Sequence, residues 1–229
     1  MTINSPHPRA IKSYVLRSGR LTPGQKNALR QYWPKYGLEF APARIDLETM
    51  ATGFAALKLE IGIGNGDALI SMATNDKTSL YIGIEVHQPG IGRCLNNIEQ
   101  HKLDNVRLVS HDAIEVMEEM LGVQSLDRIL LFFPDPWHKK RHHKRRIVNQ
   151  HFRDLTFSCL KPGGVLHAAT DWQDYATHIA AEFLGDQRFN NLGDESGYAQ
   201  CPEYRPLTRF EQRGRKLGHG VWDLLFAKK

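Results

Sequence analysis

From residue 55 onward, short apolar runs alternate with stretches of helical spacing, and that alternation limits what the chain can fold into more than any other feature. Strands are expected at 56–61, 80–84, 106–109, 127–133 and 164–169, with a late pair near 189–192 and 221–226. Between them, Ile91, Leu95 and Ile98 recur at i, i+4 and i+7. Val148, Phe152, Leu155 and Cys159 keep the same rhythm, as do Tyr175, Ile179 and Phe183, and each set reads as the core-facing stripe of a helix. Strand–helix alternation of this length predicts an α/β fold: a doubly wound, mostly parallel sheet with helices on both faces and a ligand beyond the carboxyl ends of the strands. With 229 residues one core is expected, formed by a domain over 51–229. Residues 1–50 carry turn punctuation such as Thr22-Pro23-Gly24 and Trp33-Pro34. They read as a basic, partly flexible arm with a short helix near 25–32.

Composition excludes several classes. No apolar stretch approaches the roughly 18 residues of a membrane span. The first twenty residues carry Arg9, Lys12, Arg17 and Arg20 with no apolar block, unlike a secretory signal, so a cytoplasmic protein is expected. The three cysteines Cys94, Cys159 and Cys201 are widely spaced and form no CxxC pair, which argues against a disulfide framework or a cysteine-rich zinc site. The net charge of +5 hides a strong asymmetry. Residues 1–50 hold 8 Lys/Arg against 3 Asp/Glu, residues 137–153 hold 7 against none, and residues 205–217 hold 5 against 1, which leaves −11 for the rest. Three separated basic segments on an acidic body suit a polyanion, most simply a phosphate backbone.

The first motif with chemistry in it is Leu59-Glu60-Ile61-Gly62-Ile63-Gly64-Asn65-Gly66, a strand entering a GxGxG turn before a helix from about Asp67. Glycine suits a turn whose backbone a ligand approaches closely, and such turns serve NAD, FAD and S-adenosylmethionine alike. Two details favour S-adenosylmethionine: the third glycine follows the second by two positions, and Glu60 would repel a pyrophosphate while attracting a cation. Glu85 ends the next strand, where an acid can hold both ribose hydroxyls. Asp112 follows the third strand, placed either to accept from an adenine amine or simply to cap the next helix. The fourth strand runs into Phe133-Pro134-Asp135-Pro136-Trp137, where two prolines fix the backbone around a single acid.

Together these motifs resemble one family, the bacterial tRNA (guanine-N7)-methyltransferases. The resemblance is carried by LEIGIGNG at 59–66, GIEVHQPGIG at 83–92, LFFPDPWHKKRHHKRR at 131–146, LKPGGVLHAATDW at 160–172 and RPLTRFEQRG at 205–214. It implies a Rossmann-like fold and methyl transfer from S-adenosylmethionine to N7 of a variable-loop guanine, position 46, with tRNA as the partner and no metal. It also implies that Glu60, Gly62, Gly64, Glu85, Asp112 and Asp135 bind the cofactor, with Asp135 also catalytic. Lys139, Asp171, Thr208, Arg209, Phe210 and Glu211 would contact the substrate, and Arg141, His142, His143, Lys144, Arg145 and Arg146 the RNA.

The residues are consistent with that chemistry. Guanine N7 has an in-plane lone pair and needs no deprotonation, so a nucleophile–histidine pair is not required. A fixed carboxylate, Asp135 with Asp171 beside it, would stabilise the charge that develops on the purine. His138, His142, His143 and His151 lie in or near the basic run with no second ligand cluster, which suits phosphate contact better than zinc. Phe133, Trp137 or Phe210 could stack on a base, although each also suits packing at the lip of the pocket. Two other readings stand beside this one. An NAD-dependent oxidoreductase would leave the basic run unexplained, and a non-enzymatic RNA-binding protein with a methyltransferase-like core would be expected to have lost strand-end acids. The oligomeric state, monomer or homodimer, has no signature in the sequence.

Overall fold

The computed structural model describes residues 12–15, 19–207, 211 and 220–229. Its strands are β1 (Gly37–Leu38), β2 (Ala56–Ile61), β3 (Ser79–Ile84), β4 (Val106–Val109), β5 (Leu126–Phe132), β6 (Leu160–Thr170), β7 (Phe189–Asn191) and β8 (Trp222–Lys228). They form one sheet in the order β1-β4-β3-β2-β5-β6-β8-β7. The pairings from β1 through β6 are parallel, whereas β8 runs antiparallel to both β6 and β7. The helices are α1 (Pro23–Tyr36), α2 (Leu47–Met50), α3 (Asp67–Asn75), α4 (Gln88–Gln100), α5 (Ala113–Glu115), α6 (Gln150–Cys159) and α7 (Gln173–Leu184). The chain continues from α5 through a π-type turn over Val116–Met120.

Alternate side chains on each strand supply two cores. Leu57, Leu59 and Ile61 of β2 and Leu80, Ile82 and Ile84 of β3 join Met117, Phe152 and Phe183 in one of them. Tyr81, Leu108, Leu130 and Phe132 join Tyr36, Leu69 and Leu95 of α1, α3 and α4 in the other. Burial on both sides of the strands is what makes a parallel sheet stable, and it is the doubly wound arrangement expected.

Part of the expected N-terminal arm belongs to this fold. α1 opens with a capping box in which Gln25 N donates to Thr22 Oγ1 at 3.2 Å and Thr22 N donates to Gln25 Oε1 at 2.8 Å. Pro23 occupies its first turn, where the missing N–H is harmless. The helix then continues past Pro34 to the buried Tyr36, whose hydroxyl donates to Glu99 of α4 at 2.7 Å. Gln25 Nε2 also donates to the Pro89 carbonyl at 3.0 Å. Docked on α4 in this way, α1 delivers β1 to the sheet edge beside β4. The two-residue strand carries too little periodicity to read from sequence, and the helix extends past the expected 25–32 because it continues through Pro34.

The glycine turn between β2 and α3 tests this packing. Gly66 has φ +81°, and a Cβ there would lie 2.4 Å from Cys94 Sγ on α4. Gly66→Ala should therefore lose roughly 1–2 kcal/mol to the left-handed backbone and about 1–3 kcal/mol more to overpacking. Chemical denaturation reads the loss, and an unchanged midpoint would contradict the close contact.

Candidate active site

Strand β2 ends at Ile61 and hands the chain to three glycines in left-handed conformations, Gly62 at φ +74°, Gly64 at +56° and Gly66 at +81°. Their surroundings separate their roles. A Cβ added at Gly62 or Gly64 would meet nothing within 4 Å, whereas one at Gly66 would strike Cys94. The first two glycines therefore leave open space above the backbone, and the third lets α3 and α4 close together.

The strand-end acids gather around that space. Glu60 is 2% exposed, and its Oε2 has no hydrogen-bond partner. Burial, and secondarily the charge of Glu85, push its carboxyl up to about 8. A buried carboxyl left short of a donor suits a cationic group from a ligand. Glu85 accepts from Gly64 N at 2.8 Å through Oε2, and from Val86 N at 2.8 Å and His87 N at 2.9 Å through Oε1. One lone-pair site remains on Oε2, enough for a hydroxyl donor. Asp112 does cap α5, with its Oδ1 accepting from Ile114 N at 2.9 Å. Its Oδ2 pairs with Lys12 Nζ at 2.9 Å, and Lys12 also bonds Glu115. Asp112 thus keeps acceptor capacity beside the Lys12 ammonium.

The turn after β5 is strained and braced. Phe133 at φ +51° and Trp137 at φ +49° flank the Pro134-Asp135-Pro136 corner, conformations that non-glycine residues adopt only where surrounding structure holds them. One brace is Arg146, which departs from the expected solvent-facing run: it is 3% exposed. Its Nε donates to the Pro136 carbonyl at 3.0 Å, its Nη2 bonds Asp174 of α7, and its guanidinium lies 4.8 Å from the centre of the Tyr175 ring. These bonds and the aromatic face replace water around the charge, which makes its burial tolerable.

Asp135 stands where two cavities meet. One, of about 240 Å³, is lined by Tyr14, Gly62, Glu85, His111, Phe132 and Asp135 among others. The other, of about 680 Å³, also takes in Tyr14, Glu85 and Asp135 and adds Trp137, His138, Lys139 and His142. Asp171 directly follows β6, whose Ala169 pairs with Phe132 of the neighbouring β5, three residues before Asp135. Ser13, Tyr14 and Val15 contribute to these walls although the sequence offers only charge in that region.

The basic run is a 3₁₀ helix over Lys140–Arg145 rather than an open loop. Lys139, Lys140, Arg141 and Lys144 are exposed, and His142 and His143 are half-buried. His142 is held below the ordinary imidazole range by desolvation and by the cations Arg141, Arg145, Lys139 and Lys144. Arg145 lies 5.0 Å from the centre of the Trp137 ring, and Trp137 Nε1 donates to the Ser13 carbonyl at 3.1 Å.

Of the expected substrate residues in the last basic segment, Thr208, Arg209 and Phe210 lie outside the described residues. Glu211 is fully buried and pairs with Arg205. Arg205 also bonds Asp223 of β8, with Nη2 donating to Oδ2 at 3.1 Å. On the other side of Asp223, His167 Nε2 donates to Oδ1 at 2.7 Å, while the Tyr204 hydroxyl donates to His167 Nδ1 at 2.8 Å. Burial lowers the His167 pKa, which fits a neutral ring held between an acceptor and a donor. No sequence signal marks this network, because its members are scattered over 167–223. Among the described residues no group of three or more His, Cys, Asp or Glu is placed to hold a metal ion, and no helix is long and apolar enough to cross a membrane.

A doubly wound sheet with a glycine turn after its central strand and acids at the following strand ends defines a Rossmann-like methyltransferase. Residues 55–224 match a family described as putative methyltransferases. The fold is shared with the 16S rRNA methyltransferase KamB, at TM-score 0.55 and 12% identity over 80% of this chain and 93% of that one. It is shared too with a putative methyltransferase from Streptococcus mutans in complex with SAH, at TM-score 0.52 and 11% identity over 80% and 95%. A protein of Yersinia pestis (strain Pestoides F) named tRNA (guanine-N(7)-)-methyltransferase is 51% identical over 96% of this chain and 92% of its own length. A protein of the same name from Salmonella choleraesuis (strain SC-B67) is 48% identical over the same shares. The chain belongs to the tRNA (guanine-N(7)-)-methyltransferase family.

Glu60 makes the site's electrostatics measurable. Its folded pKa is raised, so between pH 4.5 and about 8 the folded state holds a proton that the unfolded state has lost. Its stabilising contribution is full below pH 4.5 and falls as pH rises through about 8, by at most about 1.4 kcal/mol per pH unit. His167, with a lowered pKa, acts in the opposite sense, its contribution falling as pH drops below 6.5. Comparing urea unfolding of the protein with that of Glu60→Gln across pH 5–8 isolates the first effect, and parallel curves would rule it out.

Proposed function

We propose that the protein transfers a methyl group from S-adenosylmethionine to N7 of guanine in tRNA, at position 46 of the variable loop. The observation that carries this reading is the position of Asp135, at the junction of a cavity walled by the glycine turn and Glu85 and a larger one rimmed by Lys139 and His142. The relatives' shared name supports the reaction and the substrate.

When bound, S-adenosylmethionine supplies an electrophilic methyl group on a sulfonium. Glu60, buried and short of a donor, fits its ammonium end. Glu85 has one acceptor site left for a ribose hydroxyl, and Asp112 keeps capacity for the adenine amine. Gly62 and Gly64 leave room for the ligand against the backbone. Asp135 orients the base and stabilises the positive charge that moves onto the purine, and no residue has to remove a proton from N7. Asp171, at the end of the neighbouring strand, assists in positioning. The exposed cations Lys139, Lys140, Arg141 and Lys144 hold phosphates, with Arg145 beside them and Arg146 working from inside as a brace. Such contacts give affinity and orientation rather than base choice.

The test is transfer of labelled methyl from S-adenosylmethionine to unmodified tRNA transcript, with nucleoside identification after digestion. Label is expected in 7-methylguanosine from the variable loop. Label in another nucleoside would overturn the target, and no transfer with tRNA still bound would leave an RNA-binding protein. Asp135→Ala should abolish transfer and leave tRNA affinity within about twofold, because it removes no phosphate contact. Normal turnover in that variant would remove Asp135 from the mechanism.

Neutralising Lys140, Arg141, Lys144 and Arg145 together should weaken tRNA binding. The slope of log K against log salt should also shallow by roughly 0.7–0.9 for each phosphate that is no longer neutralised. An unchanged slope in filter-binding titrations would place the RNA elsewhere.

A further inference from the structure

The aromatic side chains around Asp135 differ in what is left free for a base. Trp137, two residues from Asp135, already has Arg145 against its face, the His142 ring against it edge-on at 5.9 Å, and its indole N–H on the Ser13 carbonyl. Phe133 is half-buried and packs on the second core. Trp172 is different. It is 36% exposed, and among the described residues it is the one aromatic found with the exposed large apolar side chains.

Its place follows from strand register. Phe132 of β5 pairs with Ala169 of β6, so Asp135 and Trp172 each lie three residues past a paired position on adjacent parallel strands. The Trp172 backbone is fixed there: its N–H donates to Thr170 Oγ1 at 3.2 Å and it forms the N-cap of α7. Its ring meets the His138 ring edge-on, with centroids 4.2 Å apart and planes at 74°. His138 in turn lines the cavity that holds Asp135 and Lys139. An exposed indole packed on His138, which shares a cavity wall with Asp135 and Lys139, fits a flat, electron-rich ring carried on a polyanion. A phosphate alone would have no use for the indole, and an apolar peptide would have none for the cations.

We propose that Trp172 is the stacking platform for the target guanine, holding the base across the rim of the larger cavity so that N7 faces the junction at Asp135. The proposal rests on the reading of the protein as a tRNA guanine methyltransferase and deepens it by naming the residue that positions the base. Extrusion of a nucleotide from a tertiary contact is unfavourable, and an aromatic face regains part of that cost without demanding a particular sequence around it. The edge-on His138 ring would keep the indole upright when no base is present.

The experiment uses the full protein with tRNA transcripts carrying 2-aminopurine at the target or at the following nucleotide, beside steady-state methylation of unmodified transcript. Trp172→Ala is expected to lower kcat/KM for tRNA by about 10- to 100-fold, the range that removal of one base–aromatic stack gives. Affinity for S-adenosylmethionine and the salt slope of tRNA binding should not change. Trp172→Phe should recover most of the activity, and target-position fluorescence should be quenched by the wild-type protein and Trp172→Phe but not by Trp172→Ala. Equal impairment of the Ala and Phe variants, a Trp172→Ala activity within twofold of wild type, or quenching confined to the following nucleotide would each overturn the assignment. Failure of the function reading looks different, because the wild-type protein would then methylate no guanine in the unmodified transcript.

Discussion

The reversal of winding at β2 is the constraint on which everything else rests. From β2 the chain winds outward through β3 to β4 on one side, then returns to lay β5 on the other side of β2 and continues to β6. Connections that leave neighbouring strands in opposite directions open a crevice at their carboxyl ends. The loops after β2 and β5 border that crevice, and both carry clustered left-handed backbone: three glycines after β2, and Phe133 and Trp137 after β5. The sheet is ordinary hydrophobic packing on both faces, and two groups of left-handed residues sit together at its carboxyl edge.

Unusual backbone needs different support on the two sides. On the glycine side the absence of Cβ removes the strain, and Glu85 gathers the N–H groups of Gly64, Val86 and His87 onto one carboxylate, tying the β2 turn to the end of β3. On the Asp135 side the residues have side chains, so the strain remains and must be held by contacts. Arg146 bonds the Pro136 carbonyl, Arg145 and Ser13 fix Trp137, and Phe133 N donates to the Ala169 carbonyl at 2.7 Å. A turn held from several directions keeps Asp135 in a fixed position, and the role proposed for it, electrostatic stabilisation of a developing charge, would require that.

This division also explains what is legible in the sequence. The strands that carry a full apolar face can be placed to within a residue or two, as for 56–61 and 106–109. The glycine turn is legible because only glycine fits its angles comfortably. β1 is not, since two residues have no period, and α1 runs beyond the expected 25–32 because Pro34 looks like a stop until Tyr36 is seen anchored on α4. β6 begins earlier than its apolar run, at Leu160, because the Lys161-Pro162-Gly163-Gly164 stretch continues the strand at the sheet's end. The basic run looks uniform because charge alone does not say which cation turns inward. Arg146 turns inward because a carbonyl, a carboxylate and an aromatic ring converge on it from Pro136, Asp174 and Tyr175, partners far apart in the chain. Glu211, expected to contact the substrate, is fully buried and paired with Arg205, six residues before it in the chain.

The inward arginine couples two segments that the sequence presents as neighbours, the cationic run and the Asp135 turn. Arg146 follows the 3₁₀ helix of cations directly, and its guanidinium holds the corner that carries Asp135. The cationic 3₁₀ helix and the Asp135 turn are therefore one braced piece of chain, anchored to α7 through Asp174. Non-specific contacts to a polyanion orient a substrate only if the contacting groups have a fixed position relative to the reactive centre. A flexible basic loop would bind RNA as tightly and would orient it poorly. On the proposed function, phosphates held at Lys140, Arg141 and Lys144 would set where the nucleotide backbone passes relative to Asp135, so that binding energy collected at the surface would be converted into alignment at the base.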